Sequence, residues 1–230
     1  LMNHFHVQLI PRYSFEQRGS KNFVKERKYV ILNEVYIKKF YTVCKENKIM
    51  IFGAVLAGGI GSRMGNVEKP KQYLNIAGKP IIIHTLEKFQ YNSNIDLIYV
   101  ACKEDLIPLF NELIHKYQIT KIPNNGVVPG GKTGQDSIYN ALCAAKRENS
   151  GDSIVLIHDG VRPIITDDVI NKNIESVIQN GSAITCTACY ETPVISYNSK
   201  DIDELPKRRF VYTAQAPQSF YLDKILEAHE

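Results

Sequence analysis

The eight residues Met50–Ala57 are almost wholly apolar and run without a break into Gly58-Gly59-Ile60-Gly61-Ser62-Arg63-Met64-Gly65. An apolar run of that length, ended by glycine, reads as a strand buried on both faces. Such a strand belongs inside a sheet covered by helices on both sides. The downstream sequence agrees. Helical periodicity covers 80–91, 105–117, 135–148 and 167–179, and strand-like apolar runs occupy 96–102 and 153–158. A third strand is expected at 183–190. This βαβα rhythm predicts an α/β fold, a Rossmann-like and mostly parallel sheet with helices on both faces. Sheets of this kind bind ligands beyond the carboxyl ends of their strands, so the loops after Ala57 and after His158 are where chemistry is expected. The segment 187–209 is polar and broken by proline, and is expected to leave the sheet as an arm.

Composition narrows the function. With 44% hydrophobic and 23% charged residues over 230 positions, the chain is an ordinary globular protein and not a disordered tail. Lys and Arg exceed Asp and Glu by 28 to 24, a net charge of +4, and are scattered rather than blocked, which argues against nucleic-acid binding. No apolar run approaches the length of a membrane-spanning helix. Five cysteines cannot all pair, and Cys102 and Cys143 fall in apolar runs, so reduced thiols and a cytoplasmic location are expected. Cys186 and Cys189 form a CxxC in a strand-like stretch, where positions three apart face opposite ways, so neither zinc nor redox use is expected.

The ends differ from the middle. Residues 1–49 read as an upstream segment, strand-like at 4–11 and helical at 33–47, ahead of a main domain at 50–230. No signal peptide opens the chain and no stop signal follows the amphipathic helix that closes it, which suggests a fragment cut at both ends.

The glycine loop is no dinucleotide fingerprint, because counting GxGxxG from Gly59 lands on Met64. Its glycines instead leave backbone N–H groups free to cradle phosphates, with Arg63 as a charged fork. A rival stands at Gly126–Thr133, which matches GxxxxGK[ST] and would make the protein an ATPase or GTPase. That motif needs a buried strand running into its first glycine, and Lys121-Ile-Pro-Asn-Asn125 precedes it instead. Lys71, in Lys69-Pro70-Lys71-Gln72-Tyr73, is well placed to meet a polyphosphate. Asp159, in His158-Asp159-Gly160-Val161-Arg162-Pro163, suits Mg²⁺, which needs few protein carboxylates beside substrate phosphates. His158 reads as structural.

These residues carry a resemblance. Leu56–Gly65, Lys69–Tyr73, Gly130-Gly131 with Asp136-Ser137, His158–Pro163 and Ala216-Pro217-Gln218-Ser219-Phe220 occur in the order found in the polyol-phosphate cytidylyltransferases, the methylerythritol 4-phosphate and ribitol 5-phosphate enzymes. The resemblance runs from Met50 to the end. It implies transfer of CMP from CTP to a sugar-alcohol phosphate, with release of pyrophosphate and with Mg²⁺ as cofactor. It further implies that Arg63, Lys71 and Asp159 are catalytic, Asp159 being the metal ligand. Ala57, Gly58, Gly59, Gly61, Gly131, Asp136, Ser137 and Arg162 would bind the nucleotide. Thr192 and Arg208 would grip the substrate phosphate across a homodimer, through the arm. Two departures stand out: Gly134 occupies a position where these enzymes usually carry Arg, with Lys132 a substitute, and a late Lys of the family lies beyond Glu230. The stretches 56–59 and 79–89 look closer to the ribitol 5-phosphate branch, with the methylerythritol 4-phosphate enzyme as alternative. A non-catalytic sugar-nucleotide binding module would have lost Arg63, Lys71 or Asp159, and all three are present. The front segment, Asn3-His4-Phe5-His6-Val7-Gln8, resembles the histidine-triad nucleotide-binding proteins, which would make His6 the nucleophile of an upstream domain.

Overall fold

In the computed structural model the described residues are 8–11, 49–59, 70–149 and 151–229. The sheet has seven strands: β1 (Gln8–Pro11), β2 (Met50–Ala57), β5 (Leu97–Cys102), β6 (Val127–Pro129), β7 (Ser153–Asp159), β8 (Ser182–Ala188) and β9 (Tyr212–Tyr221), in the order β1-β8-β9-β7-β2-β5-β6. A two-stranded hairpin, β3 (Asn75–Ile76) and β4 (Lys79–Pro80), stands apart. The helices are α1 (Ile81–Tyr91), α2 (Ile107–Lys116), α3 (Gly134–Glu148), α4 (Asp167–Asn180) and α5 (Leu222–Glu227). Within the seven-stranded sheet, pairings are parallel except those of β9, which runs antiparallel to both β7 and β8. The sheet is therefore mostly parallel and helix-covered, as the alternation predicts.

The pleat of β2 explains its composition. Ile51 and Val55 join the core under α1, α2 and α4, with Leu86, Phe89, Phe110 and Ile174. Phe52 and Ala54 point the other way, into the core under α3 and α5, with Ala141, Leu142 and Leu222. Gly53 has no room for a side chain, since a Cβ there would stand 2.7 Å from the Phe89 ring. Register then lines up the carboxyl ends: Leu56 pairs with Asp159, Ala57 with Cys102, and Cys102 with Pro129. That row is the floor of the site.

Several details differ from the sequence reading, among them β6 and the β3–β4 hairpin, which it did not name. The helix expected from 105 opens as a 3₁₀ turn, Glu104–Leu106, before α2 begins with a proline in its first turn. The strand expected at 183–190 ends at Ala188, taking the first two residues of the expected arm. Strand β9 was not foreseen, because Pro217 within Tyr212–Tyr221 argues against a ladder strand. The structure puts that proline in an irregularity, where β8 advances from Ile184 to Cys186 while β9 retreats from Gln218 to Ala214. Within the stretch expected to be strand-like at 4–11, Gln8–Pro11 does form a strand, at the edge of the sheet beside β8. His6 and the helix expected at 33–47 lie outside the described residues.

The segment after β8 departs as expected. Backbone bonds close its base, from the Cys189 N–H to the Val211 carbonyl, and its middle, between Ile195 and Glu204. Among the described residues no helix is long and apolar enough to cross a membrane.

Candidate active site

The site is built where β2, β5, β6 and β7 end together. Ala57 is buried, and Gly58 and Gly59 carry the chain out of the sheet. Gly61 and Arg63 lie outside the described residues. The chain returns at Pro70 and makes a single 3₁₀ turn, Lys71–Tyr73. With three residues per turn, its side chains leave in three directions. Tyr73 drops into the core and meets the Phe110 ring edge-on at 6.5 Å. Gln72, only 3% exposed, sends its amide to the Ala57 carbonyl at 2.5 Å and the Gly59 carbonyl at 3.3 Å. Lys71 stays half-buried, and among the described residues it has no ion-pair partner.

The next wall comes from β6 and α3. The Gly130 N–H donates to the Cys102 carbonyl at 2.6 Å, which ties this loop to the row of strand ends. The Gly131 N–H donates to Ser137 Oγ at 2.9 Å, and that hydroxyl donates to the Thr133 carbonyl at 3.0 Å. Thr133 and Asp136 form a reciprocal capping box at the start of α3, with bonds of 2.9 and 3.1 Å. Hydrogen bonds from the Thr133 backbone and hydroxyl hold the Asp136 carboxyl below its usual range. A Cβ on Gly131 would fall 2.0 Å from that of Asp136, so glycine there is a requirement of close packing. Ser137 Oγ is also 3.6 Å from where a Gly58 side chain would begin, so Gly58, Gly131, Asp136 and Ser137 line one corner. This geometry disposes of the P-loop reading. Gly126 precedes strand β6 instead of following one, and Thr133 is committed to capping. Gly134 opens onto free space, so the position that usually carries Arg is sterically open.

The opposite wall is the turn after β7. Asp159 binds Arg162 Nε at 2.5 Å, and Arg162 Nη1 donates to Gln215 Oε1 of β9 at 2.9 Å. Three bonds fix this turn to the fold: the Gly160 N–H to the Leu56 carbonyl at 2.8 Å, Thr85 Oγ1 to the Gly160 carbonyl at 2.8 Å, and the His158 ring to the Arg162 carbonyl at 3.0 Å. A side chain at Gly160 would strike the Leu56 carbonyl at 2.8 Å and Ile82 at 2.5 Å. His158 is buried and serves this turn, in keeping with a structural role. Asp159 and Arg162 are each about two-fifths exposed, 42% and 39%. Their pair therefore adds little to stability and is easily exchanged for a ligand.

In the arm, Arg208 donates from Nη1 to the Tyr190 carbonyl at 2.9 Å, two residues from Thr192. Arg208 is thus tied to the stretch of the arm that carries Thr192, and both residues are exposed. Among the described residues no hydrogen bond or ion pair joins either to the strand-end row. The arm carboxylates are turn scaffolding: Asp203 accepts the Tyr197 N–H and Asp201 accepts from Asn198. Sequence reasoning missed Gln72 and Gln215 as site residues. Gln72 sat inside a quoted motif, but only burial distinguishes it from a surface amide. Gln215 lies on the unforeseen strand β9.

Comparison with known proteins agrees with this geometry. Residues 51–230 match the family described as IspD: 2-C-methyl-D-erythritol 4-phosphate cytidylyltransferase. The chain is 49% identical over 175 residues to the ribitol-5-phosphate cytidylyltransferase of Vibrio parahaemolyticus, covering 76% of this chain and 73% of that one. It is 46% identical over 178 residues to the enzyme of the same name from Streptococcus agalactiae serotype V, covering 77% and 73%. Among solved structures, the 4-diphosphocytidyl-2C-methyl-D-erythritol synthase of Anaerococcus prevotii superposes with a TM-score of 0.65 at 26% identity, over 79% of this chain and 74% of that one. A strand-end row built from a glycine loop, a lysine and a carboxylate, matched across the whole of residues 51–230, leaves one assignment: the chain is a nucleotidyltransferase and belongs to the IspD family of cytidylyltransferases.

Proposed function

We propose that the protein transfers CMP from CTP to ribitol 5-phosphate, giving CDP-ribitol and pyrophosphate. The observation that carries this reading is the gathering of three groups at the carboxyl ends of adjacent strands: the Gly58-Gly59 backbone, Lys71, which has no ion-pair partner among the described residues, and the Asp159 carboxylate. Two relatives at 46–49% identity are named for ribitol 5-phosphate, which favours that acceptor over methylerythritol 4-phosphate.

The chemistry needs positioning more than covalent participation. A phosphate oxygen of the polyol phosphate attacks the α-phosphorus of CTP in line. As that bond forms, the bond to the bridging oxygen breaks, and its electron pair leaves with pyrophosphate. Lys71, with Arg63, neutralises charge building on the α- and β-phosphates. Gly58 and Gly59 offer backbone N–H groups to the same oxygens. Gly131, Asp136 and Ser137 shape the corner for the nucleoside, and Thr192 and Arg208 grip the acceptor phosphate.

Asp159 fits a Mg²⁺ ligand by its chemistry. It is a single half-exposed carboxylate at a strand end, already holding a cation in the form of Arg162. An ion of this kind needs only one or two protein carboxylates beside waters and substrate oxygens. Bound there, Mg²⁺ supplies charge neutralisation across the triphosphate. Arg162 would then turn from Asp159 toward substrate, still anchored by Gln215. The working form is a cytoplasmic homodimer joined through the arms.

The test is pyrophosphate release by the full chain with each of CTP, UTP, ATP and GTP, against ribitol 5-phosphate and methylerythritol 4-phosphate, with Mg²⁺ or EDTA. Release confined to CTP with ribitol 5-phosphate, and abolished by EDTA, is expected. Preference for methylerythritol 4-phosphate would reassign the acceptor, and preference for ATP or GTP would overturn the nucleotide.

A further inference from the structure

Gln72 has no role in the reading above, yet it is the most deeply buried polar side chain beside the glycine loop. We infer that Gln72 is a positioning residue which clamps the glycine loop to the segment carrying Lys71, so that the two phosphate-binding groups keep one fixed spacing. The inference rests on the cytidylyltransferase reading for its consequence, and on the geometry alone for the clamp.

The clamp is a matter of donors and acceptors. A side-chain amide offers two N–H donors, and both acceptors here are main-chain carbonyls, of Ala57 and of Gly59. Those two residues flank Gly58. Because a trans peptide is planar, its N–H points opposite to its carbonyl. Turning the Ala57 carbonyl toward Gln72 therefore aims the Gly58 N–H away from the clamp. Glycine has no side-chain preference to hold that orientation itself, and it is the residue that loses most freedom on being fixed. The fixing force must come from outside the loop, and Gln72 provides it. The clamp is itself fixed. Tyr73, next in the same turn, is locked against Phe110, and the turn closes through the Tyr73 N–H to the Pro70 carbonyl at 3.0 Å and the Leu74 N–H to the Lys71 carbonyl at 3.1 Å. One rigid turn thus holds the glycine loop with its second residue and presents the amine with its first.

The experiment compares the full-length wild type with Gln72→Leu and Gln72→Glu. Leucine keeps the volume and removes both donors. Glutamate keeps the shape, but its carboxylate can only accept and faces two carbonyl oxygens until it is protonated. Two readouts separate the clamp from the function. The first is amide exchange in a peptide spanning 57–59: faster exchange in Gln72→Leu than in wild type, with β7 and α4 equally protected in both, is expected. Unchanged exchange at 57–59 would overturn the clamp whatever the enzyme does. The second is kcat/KM for CMP transfer. It should fall about 10- to 100-fold in Gln72→Leu, the cost of misplaced reacting groups, with a pH profile parallel to wild type. In Gln72→Glu it should recover toward wild type as pH is lowered, because a protonated carboxyl restores one donor. Equal losses in both variants at every pH would assign Gln72 to folding alone. A wild type inactive on CTP would sink the cytidylyltransferase reading and leave the exchange result to decide the clamp.

Discussion

At the scale of single residues, the site is a contrast between groups that are committed and groups that are not. Ser137, Asp136 and Gln72 all spend their polar atoms on the fold, whereas Lys71 spends nothing among the described residues. If Lys71 neutralises the triphosphate as proposed, Lys71→Ala should lower kcat by about 100-fold or more, the scale seen when a charge-stabilising group is removed. Its melting temperature should stay close to wild type, because among the described residues no hydrogen bond or ion pair of the fold depends on the amine. A thermal melt run beside the turnover assay checks both halves. Cys102 makes the opposite case. It ends β5 beneath the nucleotide corner, fully buried, and burial with the nearby Asp105 charge pushes its thiol up to about 11. A thiol that ionises less readily folded than unfolded stabilises the fold fully below about pH 9, and that contribution is lost as pH climbs through 11. It should also resist alkylation, because the thiolate is the nucleophile. Mass-mapped iodoacetamide labelling of the native protein at pH 8 should leave Cys102 unmodified while the half-buried Cys189 reacts, and unfolding should expose both. Labelling of Cys102 in the native state at pH 8 would contradict its place in the core.

At the scale of elements, the helix that frames the nucleotide corner is started by a device readable in sequence. Thr133 and Asp136 have the spacing of a capping box, although in the sequence reading that stretch entered as a P-loop imitation. Since Gly131, Asp136 and Ser137 are all organised by this cap, Thr133→Ala should cost about 1 kcal/mol of stability and also raise the KM for CTP more than that for the polyol phosphate. Steady-state kinetics with each substrate varied in turn would show it. Equal effects on both substrates would mean that the cap supports the fold without shaping the nucleotide corner. Strands β2, β5 and β7 were legible as unbroken apolar runs, and helices α1, α3 and α4 by their helical period, none of them interrupted by proline. β9 was not, for a physical reason. Its proline sits in a bulge of β9 itself: β9 spends four residues, Gln218 to Ala214, where β8 spends two, Ile184 to Cys186, so Pro217 falls outside the paired positions, and a break of that kind has no periodic mark in the sequence. The same gap hid Gln215, which reaches Arg162 from this irregular stretch. The glutamine clamp was hidden differently, since a Gln between a Lys and a Tyr has no sequence mark of burial.

At the scale of the whole molecule, the arm is the part whose surface the single chain does not explain. Tyr197, Ile202, Leu205 and Phe210 are each more than three-fifths exposed, at 76, 62, 67 and 65%. Large apolar side chains gathered on one protruding segment mark an interaction surface, and the homodimer proposed above would cover it by closed two-fold symmetry. If the arm of one protomer completes the site of the other, each site takes Lys71 from one chain and Arg208 from its partner. Arg208→Ala alone should then raise the KM for the polyol phosphate more than that for CTP. Mixing decides the geometry. In a heterodimer of Lys71→Ala and Arg208→Ala chains, one site carries both defects and the other carries neither, because the intact Lys71 chain receives its arm from the intact Arg208 chain. Random reassociation makes half of the dimers mixed, so two nearly inactive preparations should together recover about a quarter of wild-type activity. If Arg208 acted within its own chain, every site in the mixture would keep one defect, and no activity would return. The assay reads arm exchange directly, because loss of folding in either variant cannot generate activity in the mixture.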